Sequence, residues 1–233
     1  MIDFHSHVLP GIDDGSKSLE ESIALLRMEA EQGITHVVAT PHFYARYDDP
    51  ARFLEKRANA EQLLLSEMKK YDGMPTLSVG AEVYYFRGMS DSDILPQLVI
   101  EGSNCIMVEM PKAPWPEAAF QELEDIHRKR GIVPIIAHVD RYIRPMKTHG
   151  IPGKLEKLPV LVQANAEFFL EKATASMAMR MLKKGQIHLL GSDCHNLSSR
   201  KPNLGEAIEL IEQRLGADAI DRILRYSTDV LGM

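Results

Sequence analysis

Short apolar runs alternate along the chain with longer stretches in which apolar residues recur at helical spacing. The clearest helix opens with the S-x-x-E spacing of Ser18 and Glu21, which predicts a capping box. Gly33 predicts the end of this helix, before a run of strand formers at 34–40. The face expected to pack against the core is formed by Leu19, Ile23, Leu26 and Ala30.

Gly131 and Gly185 likewise predict helix ends, and the apolar runs "IVPIIAH" and "IHLLGSD" follow them. Continuous apolar runs of this length are typical of strands buried on both faces of a parallel sheet. Strand and helix in repeated alternation favour an α/β fold of the (β/α) barrel kind. Strands are predicted at 2–5, 34–40, 76–83, 104–110, 132–138, 159–165 and 187–192.

Length and composition narrow the classes of protein. A chain of 233 residues with 45% hydrophobic content is compatible with one α/β domain over 1–233. The net charge of -6 provides no basic surface for nucleic acid, and no apolar run approaches the roughly 20 residues of a membrane helix. With two cysteines and strand-like sequence from Ile2 onward, we expect a soluble cytoplasmic protein without disulfides or a signal peptide.

Side chains that bind metals stand where the predicted strands end. A (β/α) barrel has its active site at the carboxyl ends of its strands, so these side chains should converge. The residues in question are His5 with Ser6 and His7, the acidic turn "GIDDG", His42, Glu82, Glu109, His138, Asn165, Asp193 and His195.

A lone His or Glu at a strand end is often only a capping or packing group. In the His-x-His pair of His5 and His7, however, both imidazoles point to one face and can bind one cation. Glu82 and Glu109 lie in apolar sequence, where an ionised carboxylate is rarely buried unless it is paired or bound to metal. We predict structural or surface roles for the remaining histidines, His36, His127, His149 and His188.

A different chemistry is suggested by Cys194 and Arg200, which have the C-x5-R spacing of thiol phosphatases. Such enzymes need a thiolate cradled by converging backbone N–H groups. The intervening "HNLSS" has no glycine to allow this, and Asp193 disfavours a thiolate. We therefore predict that Cys194 is a neutral spacer between two metal ligands.

Six segments that span nearly the whole chain, in order, resemble one known family: "MIDFHSHVLPGIDDGSKSLEES", "GITHVVATPHF", "GAEVYY", "VEMP", "PIIAHVDRY" and "GSDCHNLSSRKPNL". They are similar to the PHP (polymerase and histidinol phosphatase) metal hydrolases, and among them to the manganese-dependent tyrosine phosphatases of capsule loci, the CpsB/CapC type. The resemblance implies a distorted (β/α)7 barrel holding up to three divalent ions. Manganese is expected, although mixed His and carboxylate ligation also suits iron, cobalt or zinc.

The resemblance also implies how the ligands are shared. One ion would be bound by His5, His7, Glu82 and Asp193, a second by Glu82, Glu109 and His138, and a third by Asp14, His42 and His195. Glu82 would bridge two ions. Set against the ligand carboxylates, three divalent ions leave about two positive charges for a phosphate dianion and a hydroxide.

The expected reaction is in-line attack on phosphorus by a metal-bound hydroxide, with no phosphoenzyme. Arg141 and Arg200 are expected to hold phosphoryl oxygens in the planar fork of a guanidinium, the alternative being solvated loop arginines. A phenolate leaves readily, so a general acid is dispensable; Asp14 or a metal-bound water are the candidates.

Two features remain open. The segment 43–53 either forms a wall of an aryl-phosphate pocket or is a surface loop, and Trp115 either lines the entrance or fixes its own loop.

By resemblance, the expected substrate is a phosphotyrosine protein, in particular the tyrosine-rich tail of a bacterial kinase that controls capsule or exopolysaccharide synthesis. A small-molecule phosphomonoesterase such as histidinol-phosphate phosphatase is the alternative. A non-catalytic metal-binding regulator is disfavoured by the full ligand set, since a regulator can lose a ligand freely.

Overall fold

The structure is a computed structural model that describes residues 1–143 and 150–233. Its strands are β1 (Ile2–Ser6), β2 (His36–Ala39), β3 (His42–Phe43), β4 (Thr76–Val79), β5 (Glu82–Tyr84), β6 (Cys105–Glu109), β7 (Val133–Ile136), β8 (Leu161–Asn165) and β9 (Leu189–Gly191). Its helices are α1 (Leu19–Glu31), α2 (Pro50–Met68), α3 (Glu117–Arg130), α4 (Asp140–Ile143), α5 (Ile151–Leu155), α6 (Ala166–Leu170), α7 (Ala175–Lys183), α8 (Leu204–Leu215) and α9 (Ala217–Leu231), with 3-10 turns at Met89–Asp91 and Leu95–Gln97. Within these ranges no helix combines the length and apolar character needed to cross a membrane.

Every strand pairing is parallel, and the strands form two ladders with the orders β1-β2-β4 and β3-β5-β6-β7-β8-β9. The two ladders continue each other. The stretch that forms β2 and β3 is interrupted only at Thr40 and Pro41. The stretch that forms β4 and β5 is interrupted only at Gly80 and Ala81. Backbone bonds bridge the interruption, from Gly80 N–H to Ala39 O (2.9 Å) and from Glu82 N–H to Pro41 O (3.0 Å). The result is one curled sheet with seven strand positions.

The first and last strands of this sheet meet. Asp193 N–H donates to His5 O at 2.7 Å and His7 N–H donates to Cys194 O at 2.9 Å. Helices connect the successive strand positions, except that two 3-10 turns connect β5 to β6. With this closure the fold is a distorted (β/α)7 barrel, as predicted. A strand is present in each of the seven predicted ranges. The strand predicted at 76–83 is split into β4 and β5, and β3 lies just beyond the strand predicted at 34–40.

Helix α1 begins and ends where the sequence predicts, with one correction. Ser18 Oγ accepts the N–H of Glu21 at 3.3 Å, and Gly33 ends the helical stretch with a left-handed φ of 78°. The reciprocal half of the predicted capping box is wrong, because the Glu21 carboxylate accepts from Lys17 N–H at 2.8 Å, one residue before the cap. The helix start is therefore held by the same two side chains through a shifted bond.

The inside of the curled sheet is apolar. Phe4, Val38, Met107, Ile135 and Leu189 come from five different strands, are fully buried and belong to one cluster. Full burial of an aliphatic or aromatic side chain stabilises a fold by about 1.5–3 kcal/mol. This packing holds the strands whose carboxyl ends carry the polar residues.

The closure leaves no room at Gly191, the last residue of β9. A Cβ placed there would lie 2.5 Å from His5 Cβ and 2.9 Å from His5 N. We predict that Gly191→Ala lowers the free energy of unfolding by about 1–3 kcal/mol, because β1 and β9 must separate. Urea unfolding measures this. The control is Gly153→Ala, whose Cβ meets nothing within 4 Å; equal stability of the two variants would contradict the close strand contact.

Candidate metal centre

The strand ends bring the predicted ligands into one buried cluster. His5 lies on β1, Glu82 begins β5, and His138 and Asp193 follow β7 and β9. Together with His7 these side chains are at most 3% exposed. Groups that come from distant parts of the chain therefore share a space closed to solvent on most sides.

Four donor atoms of this cluster form a compact cage. His5 Nε2 lies 3.2 Å from His7 Nε2, 3.1 Å from Glu82 Oε2 and 3.6 Å from Asp193 Oδ1. His7 Nε2 lies 3.3 Å from the same Glu82 oxygen and 3.5 Å from the same Asp193 oxygen. Ligand atoms around a tetrahedral cation with bonds of about 2.1 Å lie about 3.4 Å apart. The distances of the two imidazole nitrogens from each other and from the two oxygens therefore fit a divalent ion.

Two further groups border this cage. His138 Nε2 lies 2.7 Å from Glu82 Oε1 and 3.6 Å from Glu109 Oε1. Asp14 Oδ1 lies 3.5 Å from His42 Nε2 and 3.4 Å from His195 Nε2. The structure thus brings together all nine predicted ligands. The three predicted sets are not separate in space, because His42 Nδ1 also lies 3.1 Å from Glu82 Oε2 and His7 lies in one group with Asp14, His42 and His195.

Asp13 takes part in the site, although the sequence analysis did not single it out. Its Oδ2 lies 2.8 Å from His7 Nδ1 and accepts the N–H of His42 at 3.0 Å, and its Oδ1 accepts from Gly15 N–H. A carboxylate behind a ligand imidazole fixes the ring and aims its other nitrogen at the metal. Asp14, by contrast, has a side chain 65% exposed.

Gln163 on β8 was not assigned a role, and Asn165 was expected at this end of the barrel but in none of the three ligand sets. Gln163 Oε1 accepts the N–H of His138 at 2.6 Å and lies 3.3 Å from His5 Nδ1. Its Nε2 donates to Asn165 Oδ1, and Asn165 Nδ2 donates to Asp193 Oδ2 at 2.9 Å. This chain of bonds orients three ligands. A glutamine inside the apolar strand "LVQAN" was the available signal.

Backbone strain is concentrated at two of the ligands. His138 has a φ of 32° and Asp193 a φ of 55°, a left-handed region that residues other than glycine seldom occupy. Both positions directly follow buried strands, and strain of this kind is retained where the surroundings enforce it, commonly at functional sites. The turns direct both side chains into the cluster.

The pKa values of most groups in the cluster favour the protonation states that bind cations. Burial lowers the pKa of His138 to about 4, and burial together with the charge of His7 lowers that of His195 to about 4. Both rings are therefore neutral, which is the form in which an imidazole can bind a metal. Burial opposes ionisation of Asp193, but His5, His7 and Arg141 together outweigh it and hold the pKa of the carboxyl well below its usual value. Burial, then the charge of Glu82, raises the pKa of Glu109 to about 7, so binding a cation at neutral pH displaces protons there.

Two arginines border the cluster through Asp193. Arg141, on α4, donates to Asp193 Oδ2, and Arg200 Nη2 lies 2.7 Å from Asp193 Oδ1. Both guanidinium side chains are partly exposed. A cavity of about 250 Å³ opens between them and Asp193, so an anion in it would meet both.

Cys194 points away from this cavity. It is fully buried with Asp3 and Glu29, and burial followed by the charges of these carboxyl groups raises the pKa of the thiol well above its usual value. Asp3 accepts from the N–H groups of His5 and Ser192 at 3.0 and 2.9 Å, which joins β1 to the turn after β9. A neutral, enclosed thiol is no nucleophile, in agreement with the predicted spacer role.

Trp115 fixes its own loop, which decides between the two alternatives left by the sequence. Its indole N–H donates to Pro111 O at 3.0 Å, and its ring packs against Phe120 and Tyr142. The side chain is only 8% exposed. It therefore supports the wall behind His138 from within the protein.

The histidines expected to be structural lie apart from the cluster where the structure describes them. His36 contacts the hydroxyls of Thr76 and Ser78, and His188 Nδ1 accepts the N–H of Val162. His127 lies in α3, whereas His149 falls outside the described residues.

A curled parallel sheet with a buried cluster of imidazoles and carboxylates at its strand ends defines a metal-binding α/β barrel. The sequence model of the family described as capsular polysaccharide synthesis, CpsB/CapC, matches residues 1–231. The chain belongs to this CpsB/CapC family, as its motifs indicated.

Individual relatives agree. Tyrosine-protein phosphatase CpsB of Streptococcus pneumoniae is 30% identical over 237 residues, covering 93% of this chain and 92% of that protein. Tyrosine-protein phosphatase YwqE of Bacillus subtilis is 28% identical over 226 residues, covering 94% and 86%. A solved structure described as one of YwqE and CpsB, unique metal-dependent tyrosine phosphatases, superposes with a TM-score of 0.84 at 26% identity, covering 100% of this chain and 94% of that one.

We predict that Asp13→Ala weakens divalent cation binding about 10–100-fold, because His7 loses the partner that orients its ring. Competition with a chelator of known affinity measures the change. Asp93→Ala is the control, since that carboxylate is fully exposed. Unchanged affinity in Asp13→Ala would show that His7 is oriented without it.

Proposed function

We propose that this protein is a metal-dependent protein-tyrosine phosphatase. The observation that carries the proposal is the buried cage of His5, His7, Glu82 and Asp193, in which the two imidazole nitrogens lie 3.2 Å apart and 3.1–3.6 Å from the carboxylate oxygens. Membership of the CpsB/CapC family supports the substrate class, since the relatives are named tyrosine-protein phosphatases.

The ligand sets proposed are those given by the resemblance. The cage residues would hold one ion, Glu82 with Glu109 and His138 would hold a second, and Asp14, His42 and His195 would hold a third. Up to three ions are proposed, with manganese foremost. Glu82 suits the bridging role because its two oxygens face different histidines, Oε2 towards His5 and Oε1 towards His138.

Divalent ions bound in such a site activate water for attack on phosphorus and neutralise phosphoryl oxygens. The chain itself supplies the orientation. Arg141 and Arg200 lie on opposite oxygens of Asp193 with their outer edges open to the cavity. Each guanidinium can offer two parallel N–H donors to a phosphoryl group, which a lysine cannot.

Asp14 is the proposed proton donor if the leaving group needs one. Its carboxyl is the most exposed of the ligand set and lies between His42 and His195 at the mouth of the cluster. A phenolate has a conjugate acid with a pKa of about 10, so only partial protonation is needed.

The proposed partner is the phosphorylated tyrosine-rich tail of a bacterial kinase that controls capsule or exopolysaccharide synthesis, in the cytoplasm. The description of the family as one of capsular polysaccharide synthesis supports this assignment. The same support comes from a relative in Staphylococcus aureus, named putative tyrosine-protein phosphatase CapC, which is 30% identical over 220 residues.

Removal and replacement of metal tests the function. After chelation we expect activity on a phosphotyrosine peptide to be lost, and to return on addition of Mn²⁺, Fe²⁺, Co²⁺ or Zn²⁺, because the buried donors need a cation to act. Comparison of kcat/KM on this peptide and on histidinol phosphate tests the substrate class. Activity that survives chelation, or a preference for histidinol phosphate, would reject the proposal.

A pair of adjacent variants separates metal chemistry from thiol chemistry. We predict that His195→Ala lowers kcat/KM on the phosphotyrosine peptide more than about 100-fold, since a ligand is lost. Cys194→Ser should keep most of the activity, because the thiol is buried away from the cavity. Loss of activity in Cys194→Ser with retention in His195→Ala would reverse the assignment.

A further inference from the structure

Beside the metal cluster, Tyr44 and Tyr84 form an aromatic pair that has no part in the proposed metal binding. Their ring centroids lie 5.8 Å apart, and the ring of Tyr44 lies 5.3 Å from that of His42. We propose that these two tyrosines are an aryl-binding subsite, which receives the ring of the phosphotyrosine and sets the preference for aryl over alkyl phosphates. This inference rests on the proposed function.

The register of the sheet explains why the two rings stand together. On β3 and β5, His42 pairs with Glu82. Tyr44 comes two residues after His42, and Tyr84 two residues after Glu82. Alternate residues of an extended chain point the same way, so each ligand is followed by an aromatic ring one step nearer the mouth.

Tyr84 also lies next to the second ligand group. It pairs in register with Glu109, and its neighbour Tyr85 donates its N–H to Glu109 O at 2.8 Å. The side chain of Tyr84 is 37% exposed, an unusual position for a large ring at the rim of a buried cluster. Its exposed surface is therefore available to a ligand.

The ring of Tyr44 lies beside the cluster, 5.3 Å from the ring of His42. Tyr44 is half-buried, so part of its surface is also accessible.

The backbone around Tyr44 is fixed before any ligand arrives. Its N–H donates to Asp48 Oδ2 at 2.6 Å, and its carbonyl accepts the N–H groups of Tyr47 and Asp48 at 2.8 and 2.9 Å. A ring held in this way loses little conformational entropy on binding. The segment 43–53 is thus divided: Tyr44 belongs to the wall of the site, while Tyr47, at 77% exposed, lies on the surface.

The chemistry of the ligand fits the pair. In an aryl phosphate the phosphoryl group is bonded to the oxygen of the ring itself, so a phosphate held by the cluster leaves the ring beside the first residues outside it. Aromatic rings attract one another at centroid distances of about 4.5–7 Å, and the gain exceeds that from area alone. A short alkyl group would make no such contact.

Calorimetric titration of the Mn²⁺-loaded protein with phenylphosphonate and with methylphosphonate tests the subsite, because the two share the charged group and differ in the ring. We expect wild type to bind phenylphosphonate about tenfold more tightly. The preference should disappear in Tyr44→Ala and fall in Tyr84→Ala, with methylphosphonate affinity unchanged. Tyr44→Phe, which keeps the ring, and Tyr47→Ala, on the same loop, should keep the wild-type preference.

Each result has one meaning. An equal preference for phenylphosphonate in wild type and Tyr44→Ala, or no preference in wild type, would overturn the subsite. Unchanged methylphosphonate affinity in the variants shows that they are folded and loaded with metal. If methylphosphonate affinity also falls in the alanine variants, Tyr44→Phe decides. The subsite is supported if Tyr44→Phe keeps the preference for phenylphosphonate and overturned if it loses that preference. Turnover of a phosphotyrosine peptide is measured separately, so a protein that binds the ring through Tyr44 but hydrolyses nothing would reject only the proposed function.

Discussion

The buried carboxylate of Glu82 is the interaction on which the other features of the site depend. An ionised carboxylate cannot remain in a closed space without partners, and here its two oxygens contact the imidazoles of His5, His7, His42 and His138. These histidines come from three separate strand ends, so the contacts can form only when the sheet is curled and closed. The contacts of Glu82 therefore require the closed sheet, and the cluster cannot assemble in a partly closed barrel.

The breaks in the sheet have a role in this arrangement. β2 and β3, and likewise β4 and β5, are halves of extended stretches that change their direction at Thr40–Pro41 and Gly80–Ala81, and His42 and Glu82 are the first residues after the breaks. Close approach of the chain at Gly80, where a Cβ would lie 2.8 Å from Ile100, shows how tightly one of these bends is packed. Irregular strands at the rim of a barrel commonly redirect side chains towards a site.

The strands and the ligand types could be predicted from the sequence, because buried parallel strands are continuous apolar runs and a His or Glu at their ends stands out against them. The choice of partner for each ligand could not. Asp13 and Asp14 are adjacent and chemically identical, and only the turn decides that one supports His7 from behind while the other is exposed near His42. The role of Tyr84 depends on the register between β5 and β6, and the shifted bond of Glu21 depends on the path of the chain before α1.

Trp115 is the sole tryptophan of the chain, and its surroundings make it an optical reporter of the site. Its ring lies 5.1 Å from that of Tyr142, which in turn lies 5.6 Å from the ring of His138. The tryptophan fluorescence of the protein therefore originates from one place, two rings away from His138. Because Tyr142 lies beside both rings, we expect occupation of the site to change this fluorescence in unlabelled protein.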